Sequence, residues 1–189
     1  MKHSGTGLIH RSKHRFIKGV ASIEMVIVVP ILILLGFGVI ELARAIQANN
    51  MASNLTREGA NLASRAITST SQEVMDALAL SADPLQLSQD GIIYITVVVG
   101  ELGQNPYISE QHRWLNSGYN GASQIWSTCG TWNADGSCNI SSPPPRLSDF
   151  PISLDPGETA HVVEVVYDFS LLTSYITNNN LTIYSQSFM

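Results

Sequence analysis

Hydrophobic and polar positions divide this chain into an apolar run, a striped helix and a strand-bearing remainder. The uncharged stretch Met25–Ile40 has sixteen residues and as a helix spans ~24 Å, short of the ~30 Å hydrocarbon layer of a bilayer. Extending it back to Val20 gives 21 residues and ~31 Å, which fits. Glu24 then lies at or just inside the apolar layer, where a carboxylate costs up to ~3 kcal/mol at the centre and less near an interface. Pro30 removes a backbone donor, and a helix kink is expected there. Gly36 and Gly38 lack the four-residue spacing of a helix-dimerisation motif.

Beyond the apolar run, Ala45, Ala48, Ala52, Leu55, Gly59, Leu62 and Ala66 recur at alternating steps of three and four. They form one narrow stripe, with Gln47, Asn50, Asn54, Asn61 and Arg65 on other faces. Such a helix packs through its stripe, against its own domain or against neighbouring helices. It is expected to run from Val20 to near Ile67. Thr70 and Glu73 have capping-box spacing, predicting a short helix that ends before Pro84.

Asp90-Gly91 is a turn signal, and the β-branched run IIYITVVV (92–99) reads as a buried strand. HVVEVVYDF (161–169) alternates, with His161, Val163, Val165, Tyr167 and Phe169 on one face and Glu164 and Asp168 on the other. LTIYSQSF (181–188) reads as a last strand after a turn at Asn178–Asn180. Between them, 101–159 reads as a long turn-rich loop, with a short strand expected around Ser123–Ser127. The expected fold class is α+β: a long N-terminal helix that crosses the membrane and continues beyond it, packed in a pilin-like way on a small antiparallel sheet. The domain boundaries expected are a leader at 1–19, the transmembrane and extended helix at 20–67, and an outer domain at 68–189.

Charge adds topology. Lys2, Arg11, Lys13, Arg15 and Lys18 precede the apolar run with no acid among them, whereas from Gly19 onward five arginines face fifteen acids. The positive-inside rule places the N-terminus in the cytoplasm and Asn49 onward outside. An acidic body of this kind argues against nucleic acid as a partner. A cleaved secretory signal suits the leader less well, because the apolar run is long, lacks a prompt small-x-small site and is interrupted by Glu24.

Cys129 and Cys138 are too far apart for a CxxC redox site, and no second pair completes a zinc site. Turn residues 133–136 let the thiols meet, and an oxidising compartment outside the membrane favours a disulfide. No phosphate loop, GxSxG, HExxH or dinucleotide fingerprint is present, so neither an enzyme nor a cofactor is expected. His112 and His161 stand alone. Asp135, Asp149, Asp155 and Glu158 match no EF-hand spacing, and no metal site is expected.

The run KGVASIEMVIVVPILILLGFGVIELARAIQ, continued by NLTREGANLASRA, resembles the TadE-like family of tight-adherence (Flp-type) pilus assembly proteins. The resemblance covers Lys18 to Ala66: a basic leader, a glycine, a short apolar stretch with a glutamate and a proline, then an REGA segment. It implies a pseudopilin cut by a prepilin peptidase between Gly19 and Val20, which makes Glu24 the fifth residue of the mature chain. Met25 stands where related prepilins often carry an aromatic residue. Cleavage would create an α-amine at Val20, with a reference pKa of ~7.7–8.0, able to pair with Glu24 in the same helix or a neighbouring one. The partners implied are the peptidase, other pilins or pseudopilins of the system, and inner-membrane lipid. The location implied is the bacterial inner membrane, with the outer domain in the periplasm or incorporated into a pilus that serves adhesion or secretion. The alternative is a membrane-tethered binding module or adhesin using the tryptophan- and cysteine-bearing loop.

Overall fold

A computed structural model describes residues 14–65, 69–171 and 180–189, with side chains of the first helix described from Ser22 onward. Ala66, Ile67 and Asn178–Asn179, which figure in the expectations above, lie outside the described residues, as does most of the leader. The chain divides into two units, Met1–Ala43 and Arg44–Met189. Helix α1 runs His14–Arg65 and contributes to both.

In the first unit the described part of α1 is apolar on every side. Its large side chains are exposed all round, from Ile23 and Met25 through Leu35 and Ile40. No polar face exists for water to choose, so the segment needs an apolar medium or apolar partners. The helix that contains it is long and apolar enough to cross a membrane.

The second unit is α+β with an open sheet. After α1 come α2 (Ser71–Ser81), α3 (Leu87–Asp90), β1 (Gly91–Glu101), β2 (Gln104–Arg113), β3 (Thr159–Phe169) and β4 (Leu181–Phe188). The four strands are antiparallel in the order β2-β1-β3-β4. Helix α2 begins as its spacing predicts: the Thr70 hydroxyl accepts from Glu73 N–H at 3.3 Å, and the Glu73 carboxylate accepts from Thr70 N–H at 2.8 Å. These two bonds satisfy donors that a helix start otherwise leaves open.

Helices α1 and α2 cover one face of the sheet. Ala48, Ala52, Leu55 and Ala60 of α1 and Val74, Met75 and Leu78 of α2 share a core with Ile93, Ile95, Val163, Val165, Tyr167, Phe169 and Ile183. The predicted stripe is correct at Ala48, Ala52, Leu55 and Gly59, but Leu62 is exposed while Thr56 and Ala60 are buried. The cause is geometric: a three-four alternation falls behind an α-helix by ~20° per heptad. By the end of α1 the buried side has therefore rotated onto Ala60 and Ala63. Thr56 Oγ1 closes this face with a 3.2 Å hydrogen bond to Ser185 Oγ of β4.

Two expectations need correction. The segment 101–159 is not all loop, because Gln104–Arg113 forms β2, paired with β1 through a turn in which Gly103 takes φ +69°. Pro106 and Glu110 hide this strand from a pattern search, and its pairing slips register twice, between Val97 and Val98 and between Val99 and Glu101. Ser123–Ser127 is irregular rather than a strand. The sheet therefore has four strands, and its second face is also covered, by 114–158.

Gly59 of α1 lies against Leu78 of α2 and Val163 of β3. A Cβ there would stand 2.7 Å from Leu78 Cδ1 and 2.9 Å from Val163 Cγ1. Gly59→Val is expected to destabilise the domain by roughly 1–3 kcal/mol through overpacking. Denaturant unfolding of the detergent-solubilised chain, followed by circular dichroism, measures this directly. An unchanged midpoint would show that the layers yield freely.

Candidate functional site

Two regions carry the chemistry, and they lie in different units. The first is the apolar segment of α1. Gly19 and Val20 fall within helical backbone, Glu24 is exposed on the helix, and Pro30 has helical residues on both sides. Among the described residues Glu24 has no hydrogen-bond or ion-pair partner, and nothing lies within 4 Å of a Cβ built at Gly36 or Gly38.

The second region is the face of the sheet turned away from the helices. Ile92, Tyr94 and Val166 point there and are packed by Tyr119, Trp132 and Tyr184. Among these apolar groups sits Glu164, with no solvent exposure. Its two oxygens accept from four donors: Ser123 Oγ, Gln124 N–H at 2.9 Å, Ile125 N–H at 3.2 Å, and the Tyr184 hydroxyl. A buried carboxylate is tolerable when donors replace its lost water. Burial, then the neighbouring Glu164 charge, pushes the Tyr184 phenol well above its ordinary range, so it stays a donor.

Around this anchor the irregular segment is tied down at several points. Gln111 of β2 donates through Nε2 to Thr96 Oγ1, Ser123 Oγ and the Trp126 carbonyl at 3.2, 3.2 and 3.0 Å. The Tyr94 hydroxyl donates to the Gly121 carbonyl at 2.7 Å. Trp114 is buried and donates from Nε1 to Asp76 of α2 at 2.8 Å. Cys129 and Cys138 form a disulfide with their Cα atoms 5.9 Å apart. Within its loop Trp132 pairs with Cys138, and the Trp132 ring lies 6.0 Å from Tyr94 and 5.0 Å from the Arg113 guanidinium. Tyr94, Arg113, Trp126 and Trp132 border an open cleft of about 190 Å³.

The loop carboxylates are used locally. Asp135 accepts from Ser137 Oγ at 2.6 Å and Ser137 N–H at 3.0 Å, which holds its carboxyl below the usual range. Glu158 accepts from Asp155 N–H at 2.7 Å, and Asp149 from Ser148 Oγ. No three metal-ligating side chains gather among the described residues. His112 lies 3.3 Å from Glu110. The main chain of His161 exchanges both hydrogen bonds with Met189, and burial lowers the pKa of its imidazole.

Sequence reasoning missed Glu164 as an anchor, and with it Ser123, Tyr184, Gln111 and Arg113. One signal was available. Glu164 has two valines on each side, so the strand around it is apolar on both faces, the mark of a strand covered twice. Glu164→Leu keeps much of the volume and leaves four donors without an acceptor. It is expected to cost roughly 3 kcal/mol or more, read from denaturant unfolding, and to open 116–127 to limited proteolysis. Wild-type resistance in that variant would remove the anchor role.

No curated protein and no solved structure matches the chain. Over residues 19–61, the segment holding Gly19, Glu24 and the REGA run, the chain matches the family model described as TadE-like protein, the family its N-terminal sequence resembles.

Proposed function

We propose that this chain is a minor pseudopilin that helps to initiate or assemble a Tad (Flp-type) pilus used for adhesion or secretion. The family match over 19–61 carries this reading, because it begins at Gly19 and encloses the apolar segment with Glu24. The charge asymmetry orients the chain, with the basic leader in the cytoplasm and Asn49 onward outside the inner membrane, in the periplasm. A disulfide in that domain fits an oxidising compartment. The protein works by helix packing and protein contacts, without a catalytic step. Its partners are a prepilin peptidase, the other pilins or pseudopilins of the system, and membrane lipid.

Processing gives Glu24 its use. Cleavage after Gly19 releases an α-amine at Val20, one helical turn before Glu24, and an opposite charge at hand lowers the cost of a carboxylate in the apolar layer. The amine of the same chain or of a neighbour in the assembly can serve. Mass spectrometry of the mature protein is expected to find a chain starting at Val20. Retention of Met1–Gly19 in cells with active peptidase would sink the pseudopilin reading.

A second outcome concerns the carboxylate itself. Glu24→Ala is expected to leave cleavage intact and to reduce surface piliation, counted by electron microscopy, to a small fraction of wild type. Normal piliation in cells carrying that variant would dismiss the charge pairing.

A further inference from the structure

Unused hydrogen-bond donors collect at one place in the outer domain. Among the described residues, the Arg113 guanidinium makes no hydrogen bond or ion pair; it is held flat against Trp132, 5.0 Å from the ring centre. Its main chain is fully engaged, with N–H donating to Gly136 and the carbonyl accepting from Gln72. The indole N–H groups of Trp126 and Trp132 also have no acceptor among the described residues, unlike that of Trp114, which reaches Asp76. Asn120 and Ser127 are exposed on the same rim, with side chains likewise unengaged among the described residues.

All of these line the open cleft of about 190 Å³, which has Tyr94 on its floor and no acidic residue in its wall. In a body with five arginines against fifteen acids, a cleft whose one ionic group is a cation is an exception to its surroundings. Glu164 lies nearby, but its oxygens turn to Ser123, Gln124, Ile125 and Tyr184. The walls are also held in place. The Tyr94 hydroxyl is fixed to Gly121, and Trp132 is pinned by its pairing to Cys138 inside the disulfide loop.

We infer that this cleft is a binding site for a carboxylate-bearing sugar ring, a hexuronate residue of an acidic saccharide. A guanidinium fixed on an aromatic face presents its free edge to a carboxylate in the bidentate geometry that distinguishes arginine from lysine. The Trp126 indole, which has no ring contact among the described residues, stacks on the apolar C–H side of a pyranose, and Asn120, Ser127 and the indole N–H groups meet its hydroxyls. The volume holds one ring and excludes a folded chain, and the open mouth lets neighbouring sugars continue outside. An acidic peptide satisfies the guanidinium but leaves the aromatic walls and the neutral donors unused. The site is independent of the pseudopilin reading, since it uses no residue of 19–61.

Intrinsic tryptophan fluorescence of the full chain in detergent tests it, with trigalacturonate, maltotriose and triglutamate as probes. Saturable quenching by trigalacturonate, with both other probes at least tenfold weaker, is the expected result. Arg113→Gln is expected to weaken binding by roughly tenfold or more, the loss of a charged hydrogen-bond pair. That change also frees Trp132, so Asn120→Ala serves as the variant with no contact to lose in the fold. It is expected to weaken binding by roughly threefold with an unchanged melting temperature. Absence of saturable quenching overturns the inference, as does equal binding of maltotriose or triglutamate, or unaltered affinity in both variants.

Discussion

A carboxyl group inside a sheet, cut off from water on both faces, survives only where enough donors converge on it. Glu164 meets that condition through groups that come from outside its own strand: a serine and two main-chain N–H groups of 123–125, and the hydroxyl of Tyr184 on β4. The dependence runs both ways. Without the carboxylate, a turn of irregular chain has no acceptor for its N–H groups. Without that turn, β3, one of the two inner strands, would carry a poorly matched charge. Packing on the helix side obeys looser rules, since valine, alanine and leucine ask only for shape. The polar anchor therefore selects one position for the 114–158 segment, where a greasy face would accept several.

Other ties then become possible. β2 is an edge strand, and edges are exposed to unwanted pairing. Here the irregular segment covers it with main-chain bonds: Ile108 N–H to Pro145, Leu147 N–H to Pro106, Arg113 N–H to Gly136 and Cys138 N–H to Gln111. The disulfide sits beside the last of these. A closed loop of this length contributes about 2.5–3 kcal/mol in the chain-entropy account, and its local effect is to hold Trp132 against Tyr94 and Arg113. The anchor fixes where the layer begins, and the disulfide fixes where it returns to β2.

How far this was legible in the sequence depends on whether the cause is local. The capping box at Thr70 and Glu73, the β-branched run of β1 and the alternation of β3 are decided within a few residues, and they were readable. β2 was not, because Gln111 is buried by partners on β1 and in 123–126, and the Pro106–Ile108 end by chain some forty residues further on. The seam of α1 was read correctly over its first turns and then drifted, since a heptad count carries no memory of the 3.6-residue turn. Of the loop acids, Asp135, Asp149 and Glu158 accept from a serine or a main-chain N–H within three residues. Glu164 was assigned only to the face shared with Asp168; the valines flanking it hint at a second covering layer, but nothing within the strand reveals which groups will meet the carboxylate.

The two carboxyls in apolar surroundings, Glu164 and Glu24, pose one problem with two kinds of solution. For Glu164 the donors come from distant chain. Within the interior of an α-helix that route is closed, because each main-chain N–H is already committed to the carbonyl four residues back. The side chains one turn away from Glu24, Val20, Ala21, Ile27 and Val28, carry no donor, so this carboxyl can be met only by another molecule or by a helix start, where the first four N–H groups are open and the dipole is positive. The uncut chain offers no such start, for α1 already runs from His14. Under the processing proposed above, cutting after Gly19 creates one at Val20 and adds an amine beside it, with Glu24 just past the first turn. On that proposal the order of events follows: the carboxyl would be costly in the precursor and would become useful at the moment the leader leaves. Cleavage and readiness for assembly would then be one step, set by where a single glutamate stands relative to a single peptide bond.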